Sequence, residues 1–271
     1  MRRAGVIAGL LLAFSASPAL AGQLAYSAGA PSQVFTVGAN GGPARQITHD
    51  AAGAAHPDWS RDGRLVAYDV GGQRIAVANA DGSREHLITI DTSAIDPSWS
   101  PDSLQLVFTS PEYDENGVPE NTYLYVTQAD GSNYVRIGNG SEPDWAPRGN
   151  WIVYRSNPAS SGGTAQIRRV RPDGSGDHAI AASGSDPSVS ASGKRVAYVS
   201  ADGTAIYTTS IRGGSKHRVV RDSTMKSSPV FSPDGRVIVY STAGGLWKVS
   251  VKGGRARRIA TAGGFVAWQP R

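Results

Sequence analysis

Apolar and polar residues alternate along this chain in short runs, each ended by a cluster of Gly, Pro, Asp or Ser. A period of two predicts half-buried strands, and the clusters between them predict tight turns. A longer repeat is superimposed on the alternation. The phrases His56-Pro57-Asp58-Trp59-Ser60, Asp96-Pro97-Ser98-Trp99-Ser100, Glu142-Pro143-Asp144-Trp145-Ala146, Asp186-Pro187-Ser188-Val189-Ser190 and Ser228-Pro229-Val230-Phe231-Ser232 have prolines 40, 46, 44 and 42 residues apart. Nine residues after each Trp, Val or Phe stands an aromatic: Tyr68, Phe108, Tyr154, Tyr198 or Tyr240. That constant spacing spans a turn such as Ser232-Pro233-Asp234-Gly235, so both positions belong to one hairpin. Pro presets φ for the turn, Asp bonds its own backbone and Gly accepts positive φ.

Two further strands follow in each unit, for example Leu124-Tyr125-Val126 and Val135-Arg136-Ile137, joined by a turn such as Ala129-Asp130-Gly131. Four strands in about 42 residues describe a propeller blade. The chain ends set the number of blades. Gln23-Leu24-Ala25-Tyr26 reads as a second strand without a first, and Phe265-Val266-Ala267-Trp268-Gln269-Pro270 reads as a first strand without a second. The expected fold is therefore all-β: a six-bladed propeller of four-stranded blades, closed by a composite blade of residues 23–48 and 264–271. The remaining blades span residues 56–89, 96–137, 142–181, 186–220 and 228–260. Closure of this kind removes exposed sheet edges.

Composition adds location. Arg2 and Arg3 precede an apolar stretch too short to span a bilayer, and Ala19-Leu20-Ala21 supplies a small-x-small cleavage pattern. Residues 1–21 are expected to be a signal peptide and residues 22–271 a single propeller, periplasmic or secreted, with no integral membrane segment after cleavage. The absence of cysteine excludes disulfides. Without Arg2 and Arg3 the formal charge falls from +5 to +3, too small to argue for nucleic acid. Its distribution is uneven: residues 81–147 hold 12 acidic and two basic side chains, and residues 205–271 hold 12 basic and two acidic ones. In a six-bladed ring these segments fall on opposed sides, with Arg212, Lys216, Arg218, Arg221, Lys226, Lys252, Arg255, Arg257 and Arg258 on the basic one.

The Pro-x-Trp-Ser-Pro-Asp-Gly phrase, followed by an aliphatic-aromatic strand and an Ala-Asp-Gly turn, resembles the TolB-like propeller repeat. It recurs in register over nearly all of the chain after residue 21, degenerating in the fifth blade, where Val189 replaces Trp and Ala191-Ser192-Gly193 replaces Pro-Asp-Gly. The resemblance implies the propeller fold, an envelope location and a scaffold or interaction role; the additional N-terminal domain of TolB is not expected here. Similar repeats occur in prolyl oligopeptidase-like enzymes, but the chain has no Gly-x-Ser-x-Gly nucleophile elbow.

Propeller connectivity sorts the candidate chemistry by face. The Pro-Asp-Gly and Ala-Asp-Gly turns lie on one face, which reads as structural. The loops leading into strand one, and those between strands two and three, lie on the other. His56, Asp96, Glu142 and Asp186, with Ser228 and Phe265, are expected to ring the channel mouth on that loop face. Asp96, Glu142 and Asp186 offer ligands for a divalent cation in the central channel. The preferred reading is that they cap backbone amides of neighbouring segments, because no His-x-x-x-His or Glu-x-x-His spacing is present. No other cofactor is expected. An insertion over residues 109–121 brings Glu112, Tyr113, Asp114 and Glu115 to the same face as an acidic loop. The functional expectation is a monomeric, non-catalytic binding propeller with an envelope or secreted protein partner. The alternatives are a small-ligand binder and a metal-assisted enzyme of lyase or lactonase type.

Overall fold

A computed structural model describes residues 22–88, 90–116, 119–158 and 163–270. The expected signal peptide lies outside these residues. Among them are six four-stranded antiparallel sheets, each meandering from an inner strand one to an outer strand four. The first blade is the composite one: Val266–Trp268 pairs with Gln23–Ala28 in the register Leu24↔Trp268 and Tyr26↔Val266.

The inner strands are Val266–Trp268, Ala54–Trp59, Ile95–Trp99, Ser141–Trp145, Ser185–Val189 and Ser227–Phe231. Each neighbours the next, and the sixth meets the first, so the ring closes around a channel. The nine-residue spacing follows from the hairpin register. Trp59 pairs with Val66, two residues before Tyr68. Within the turn, Ser60 Oγ donates to Asp62 at 2.7 Å while accepting from the Leu65 N–H at 2.9 Å. Ser100 with Asp102 and Ser232 with Asp234 repeat this pattern.

Six apolar clusters hold the blades together, one at each junction. Trp59 packs with Ala25 and Val34 of blade one, Trp99 with Ala67 and Ile75 of blade two, and Trp145 with Val107 and Leu124 of blade three. Val189 and Phe231 occupy the same place in the next two junctions, and Val266 and Trp268 in the last. These aromatics are blade-to-blade packing, and each buried ring removes on the order of 150–250 Å² from water. The turn between strands three and four explains its glycine in the same terms. A Cβ on Gly82 of blade two would lie 2.1 Å from the Ile47 carbonyl oxygen of blade one, so only glycine allows that approach.

Every Pro-containing inner strand is bulged at the proline, with a register shift such as that between Ala55 and Asp58. The residue ahead of the proline is left-handed in all five: His56 (φ 47°), Asp96 (51°), Glu142 (55°), Asp186 (48°) and Ser228 (47°). Such backbone costs on the order of 1 kcal/mol per residue, and Asp and His bear it better than most. The bulge re-aims these five side chains at the channel.

Candidate functional site in the central channel

The channel is a cavity of about 890 Å³ lined by the inner strands and the turns that follow them. Its loop-face mouth carries the predicted ring of His56, Asp96, Glu142, Asp186, Ser228 and Phe265, all of which line the cavity. The ring is a chain of contacts between blades. Glu142 Oε2 accepts the Asp186 N–H at 2.6 Å, and Asp186 Oδ2 accepts the Ser228 N–H at 3.1 Å. Glu142 also lies 3.6 Å from Arg155 and donates its own N–H to Thr109 Oγ1 at 3.2 Å. Burial, together with the facing charge of Asp186, raises the Glu142 pKa; burial likewise raises that of Asp186.

On the opposite arc His56 is held between two carboxylates. Its Nδ1 pairs with Asp69 of its own blade and its Nε2 lies 2.9 Å from Asp96 of the next. Side-chain exposure is 23% for His56, 4% for Asp69 and 14% for Asp96, so the triad is largely withdrawn from water. Burial would depress the imidazole, but the charges and hydrogen bonds of Asp96 and Asp69 carry it up to about 10. At neutral pH this histidine is a cation, and Phe265 packs against it with 3.5 Å between ring centroids.

Asp69 escaped the sequence reading, though it left a signal. It is the lone carboxylate in the apolar run Leu65-Val66-Ala67-Tyr68-Asp69-Val70, directly after the conserved-in-register aromatic of the blade. The equivalent position supports the mouth elsewhere too, as Thr109, Arg155 and Ser27, whose Oγ accepts the Phe265 N–H at 3.0 Å.

One layer deeper, the residue after each proline ties its blade to the next. Asp58 accepts the Trp99 N–H at 2.8 Å, Ser98 the Trp145 N–H at 3.1 Å and Asp144 the Val189 N–H at 2.5 Å. Asp58 and Asp144 keep some exposure to the channel but lie deep in the ring. Burial pushes Asp58 up to about 6, and burial plus the charge of Asp58 pushes Asp144 up to about 8.

At the turn-face end the lining changes sign. Arg61, Arg148 and Lys194 border the cavity there, and every carboxylate lining it belongs to the mouth ring or to the layer beneath. This departs from the expectation that the turn face is purely structural.

The acidic insertion is ordered differently from the loop expected. Gln105–Tyr113 and Pro119–Gln128 form one long antiparallel ladder, with Glu112 opposite Asn121 and Tyr113 opposite Pro119. Glu112 and Tyr113 therefore sit on a strand, since the backbone pairing of the two long strands continues beyond the blade. Asp114 and Glu115 form the tip, where Asp114 accepts the Asn116 N–H at 2.9 Å. The Tyr123 hydroxyl donates to Glu112 at 2.7 Å and the Arg136 guanidinium covers the Tyr123 ring at 3.7 Å, stiffening the projection. Tyr113 remains 48% exposed. These four residues are thus apart from the mouth ring, on a separate hairpin of the same face. On the basic side, Lys226 is not a surface charge: its side chain is fully buried and pairs with Asp222 at 2.7 Å.

Among the described residues, the ligand atoms that converge within 4.8 Å of one another belong to His56, Asp69 and Asp96, rather than to Asp96, Glu142 and Asp186. No helix among the described residues is long and apolar enough to cross a membrane.

Residues 116–271 match the family PD40, the TolB beta propeller domain. The uncharacterised protein Atu1656 of Agrobacterium fabrum is 30% identical over 155 residues, which are 53% of this chain and 50% of that protein. The chain thus spans about half the length of that relative. TolB from Acinetobacter baumannii superposes with a TM-score of 0.75 at 23% identity, over 92% of this chain and 67% of the other. An oligogalacturonate lyase in complex with manganese superposes with a TM-score of 0.62 at 16% identity, over 90% and 75%. At these identities the two structures share the fold.

Proposed function

Since the chain belongs to the TolB beta propeller domain family, we propose that it is a non-catalytic binding propeller of the bacterial envelope that captures a protein partner on its loop face. The observation that carries this reading is the projecting hairpin. A ladder stiffened by Glu112, Tyr123 and Arg136 holds an exposed Tyr113 and an acidic tip clear of the blade. Rigid aromatics flanked by charge are favourable contact residues, because little conformational entropy is lost when they are buried. The acidic tip favours a partner with a basic surface, whose encounter rate falls as salt rises. The mouth ring supports the reading in another way: Glu142 and Asp186 already accept backbone N–H groups and Asp96 already pairs with His56, which suits a scaffold.

The test is a photo-crosslinker at position 121, an exposed hairpin residue opposite Glu112, compared in intact cells with one at Tyr134, an exposed residue outside the hairpin. A discrete adduct from position 121 alone, lost when residues 112–119 are replaced by a two-residue turn, is the expected result. Equal labelling from both positions, or an adduct that survives the replacement, would overturn it.

The alternative of a metal-assisted enzyme has one observation in its favour, the convergence of His56, Asp69 and Asp96, on a fold shared with a manganese-bound lyase. Both imidazole nitrogens are already engaged, Nδ1 by Asp69 and Nε2 by Asp96, so the ring must give up one of these contacts before it can ligate, which weighs against that reading. Metal analysis of the purified protein, with thermal melting in added Mn²⁺ and Ca²⁺, decides it: a stoichiometric ion or a saturable shift would favour the enzyme.

A further inference from the structure

The turn-face mouth of the channel presents positive charge that no carboxylate of the described residues pairs with. In the turn following strand one, Arg61 stands where Pro101, Pro147, Pro233 and Pro270 stand in other blades, and Arg148 stands where Asp62, Asp102 and Asp234 do. Both, with Lys194, line the cavity. The turns that carry them are locked edge to edge. Arg61 N–H donates to Ser103 Oγ of the next blade at 2.9 Å. A Cβ on Gly193 would lie 2.3 Å from the Arg148 carbonyl oxygen, so Lys194 adjoins Arg148 across the junction of blades four and five. Gln269 donates to the Gly63 carbonyl at 2.9 Å, fixing the junction of blades one and two.

The aspartates that remain on this face are occupied within their own turns. Asp62 accepts from Ser60 and Arg64, Asp102 from Ser100 and Leu104, and Asp234 from Ser232 and Arg236. None of them borders the cavity. Next to Lys194, Arg195 stacks on Phe231 at 5.2 Å and leaves its Nε and Nη2 buried without an acceptor. Partial burial and the like charge of Arg148 lower the pKa of Arg61, as expected for cations that share a site without an anion.

We propose that Arg61, Arg148 and Lys194 form an anion-binding site at the turn-face mouth of the channel, for a small oxyanion of phosphate or carboxylate chemistry. Planar guanidinium groups present paired N–H donors that match an oxyanion edge, and Lys194 adds a point charge from the adjoining turn. The site lies at the opposite end of the channel from the acidic mouth. The intervening Asp58, charged above about pH 6, would repel an anion that moved further in, so the ligand is retained at the rim.

The experiment is thermal melting at constant ionic strength, with inorganic phosphate replacing chloride, on the intact protein and on the double variant Arg61→Gln, Arg148→Gln. Phosphate stabilises many proteins non-specifically, so the readout is the difference between the two. The expected result is a saturable rise in Tm of about 3 °C at tenfold excess over Kd in the intact protein. The rise should vanish in the double variant and persist in Lys252→Gln, which removes a cation from a different turn. A parallel series with acetate and citrate separates carboxylate from phosphate recognition. An identical phosphate response in the intact protein and the double variant would overturn the proposal. Should the double variant not fold, ³¹P line broadening of phosphate by the intact protein, relieved by excess pyrophosphate, replaces it; absence of saturable broadening would also overturn the site.

Discussion

The two mouths of this channel are built from the same repeat and carry opposite chemistry. At the loop face, five left-handed residues direct their side chains inward, and their charges are consumed by the protein itself: His56 by Asp69 and Asp96, Glu142 and Asp186 by the amides of the following blades. At the turn face, cations replace the usual Pro and Asp, and no carboxylate of the described residues pairs with them. The difference teaches that a ring of charge is not by itself a binding site. What separates structure from site is whether the groups are already satisfied. By that criterion the acidic mouth holds the ring together, and the basic mouth has capacity left for a ligand.

The comparison breaks most readily at His56. Replacing it by Ala would leave Asp69 buried beside Asp96 with no cation between them. Removing one partner of a largely buried ion pair costs about 3 kcal/mol, or about 6–12 °C in Tm for a domain of this size. Asp69→Asn in the same background should restore part of the loss, because it removes the stranded charge; thermal melting of the single and double variants measures this. A His56→Ala protein as stable as the parent would mean that the triad is a site in waiting, like the other mouth.

The pH dependence comes next in size. Asp58 and Asp144 hold their protons more tightly folded than unfolded, so their contribution is complete below about pH 4. It is lost as pH climbs through about 6 for Asp58 and about 8 for Asp144. His56, raised from 6.5 to about 10, contributes fully below 6.5 and ceases to do so as pH rises through 10. These groups act in the same direction, so Tm should fall steadily from about pH 5 to pH 10. The exposed turn residues Asp202 and Asp222, lowered to about 2, set the acid limb: they stabilise above 3.8 and stop doing so as pH falls towards 2. Asp144→Asn keeps an acceptor for the Val189 N–H and should flatten the slope between pH 4 and 8. Asp144→Ala leaves that N–H unpaired and should cost about 1–3 kcal/mol below pH 6.

The propeller itself was legible in the sequence because its signals are local and repeated. A Trp, Val or Phe and an aromatic nine residues later fix five hairpins, and Gln23–Ala28 lacks the very strand that Val266–Trp268 supplies. The mouth ring was legible for the same reason, since each member precedes a repeat position. The contents of the mouth were not. Asp69 reaches His56 from strand two, a pairing set by the bulge at Pro57 and invisible to spacing alone. The hairpin of residues 109–121 read as a loop because its charge suggested solvent, whereas the pairing of the two strands runs on through it to Tyr113 and Pro119. Arg61 and Arg148 were visible as departures from Pro-Asp-Gly, yet a turn residue gains meaning only when six turns converge on one opening.

Smallest in stability is the effect of the hairpin tip, which sharpens the comparison by its silence. Tyr113 is half exposed, and Glu115 is exposed at the tip of the hairpin. Tyr113→Ala and Glu115→Gln should each change stability by less than about 0.5 kcal/mol, as surface substitutions do. The same changes should remove or weaken the crosslink to a partner, and the loss from Glu115→Gln should shrink in high salt, where screening already weakens charge contacts. This is the opposite signature to that of His56, where stability moves and the loop face stays otherwise intact. A Tyr113→Ala variant that melts several degrees lower would place the hairpin with the acidic ring, as part of the scaffold. A variant that melts normally and no longer crosslinks leaves the loop face with two separate layers, a satisfied ring beneath and a recognition hairpin above.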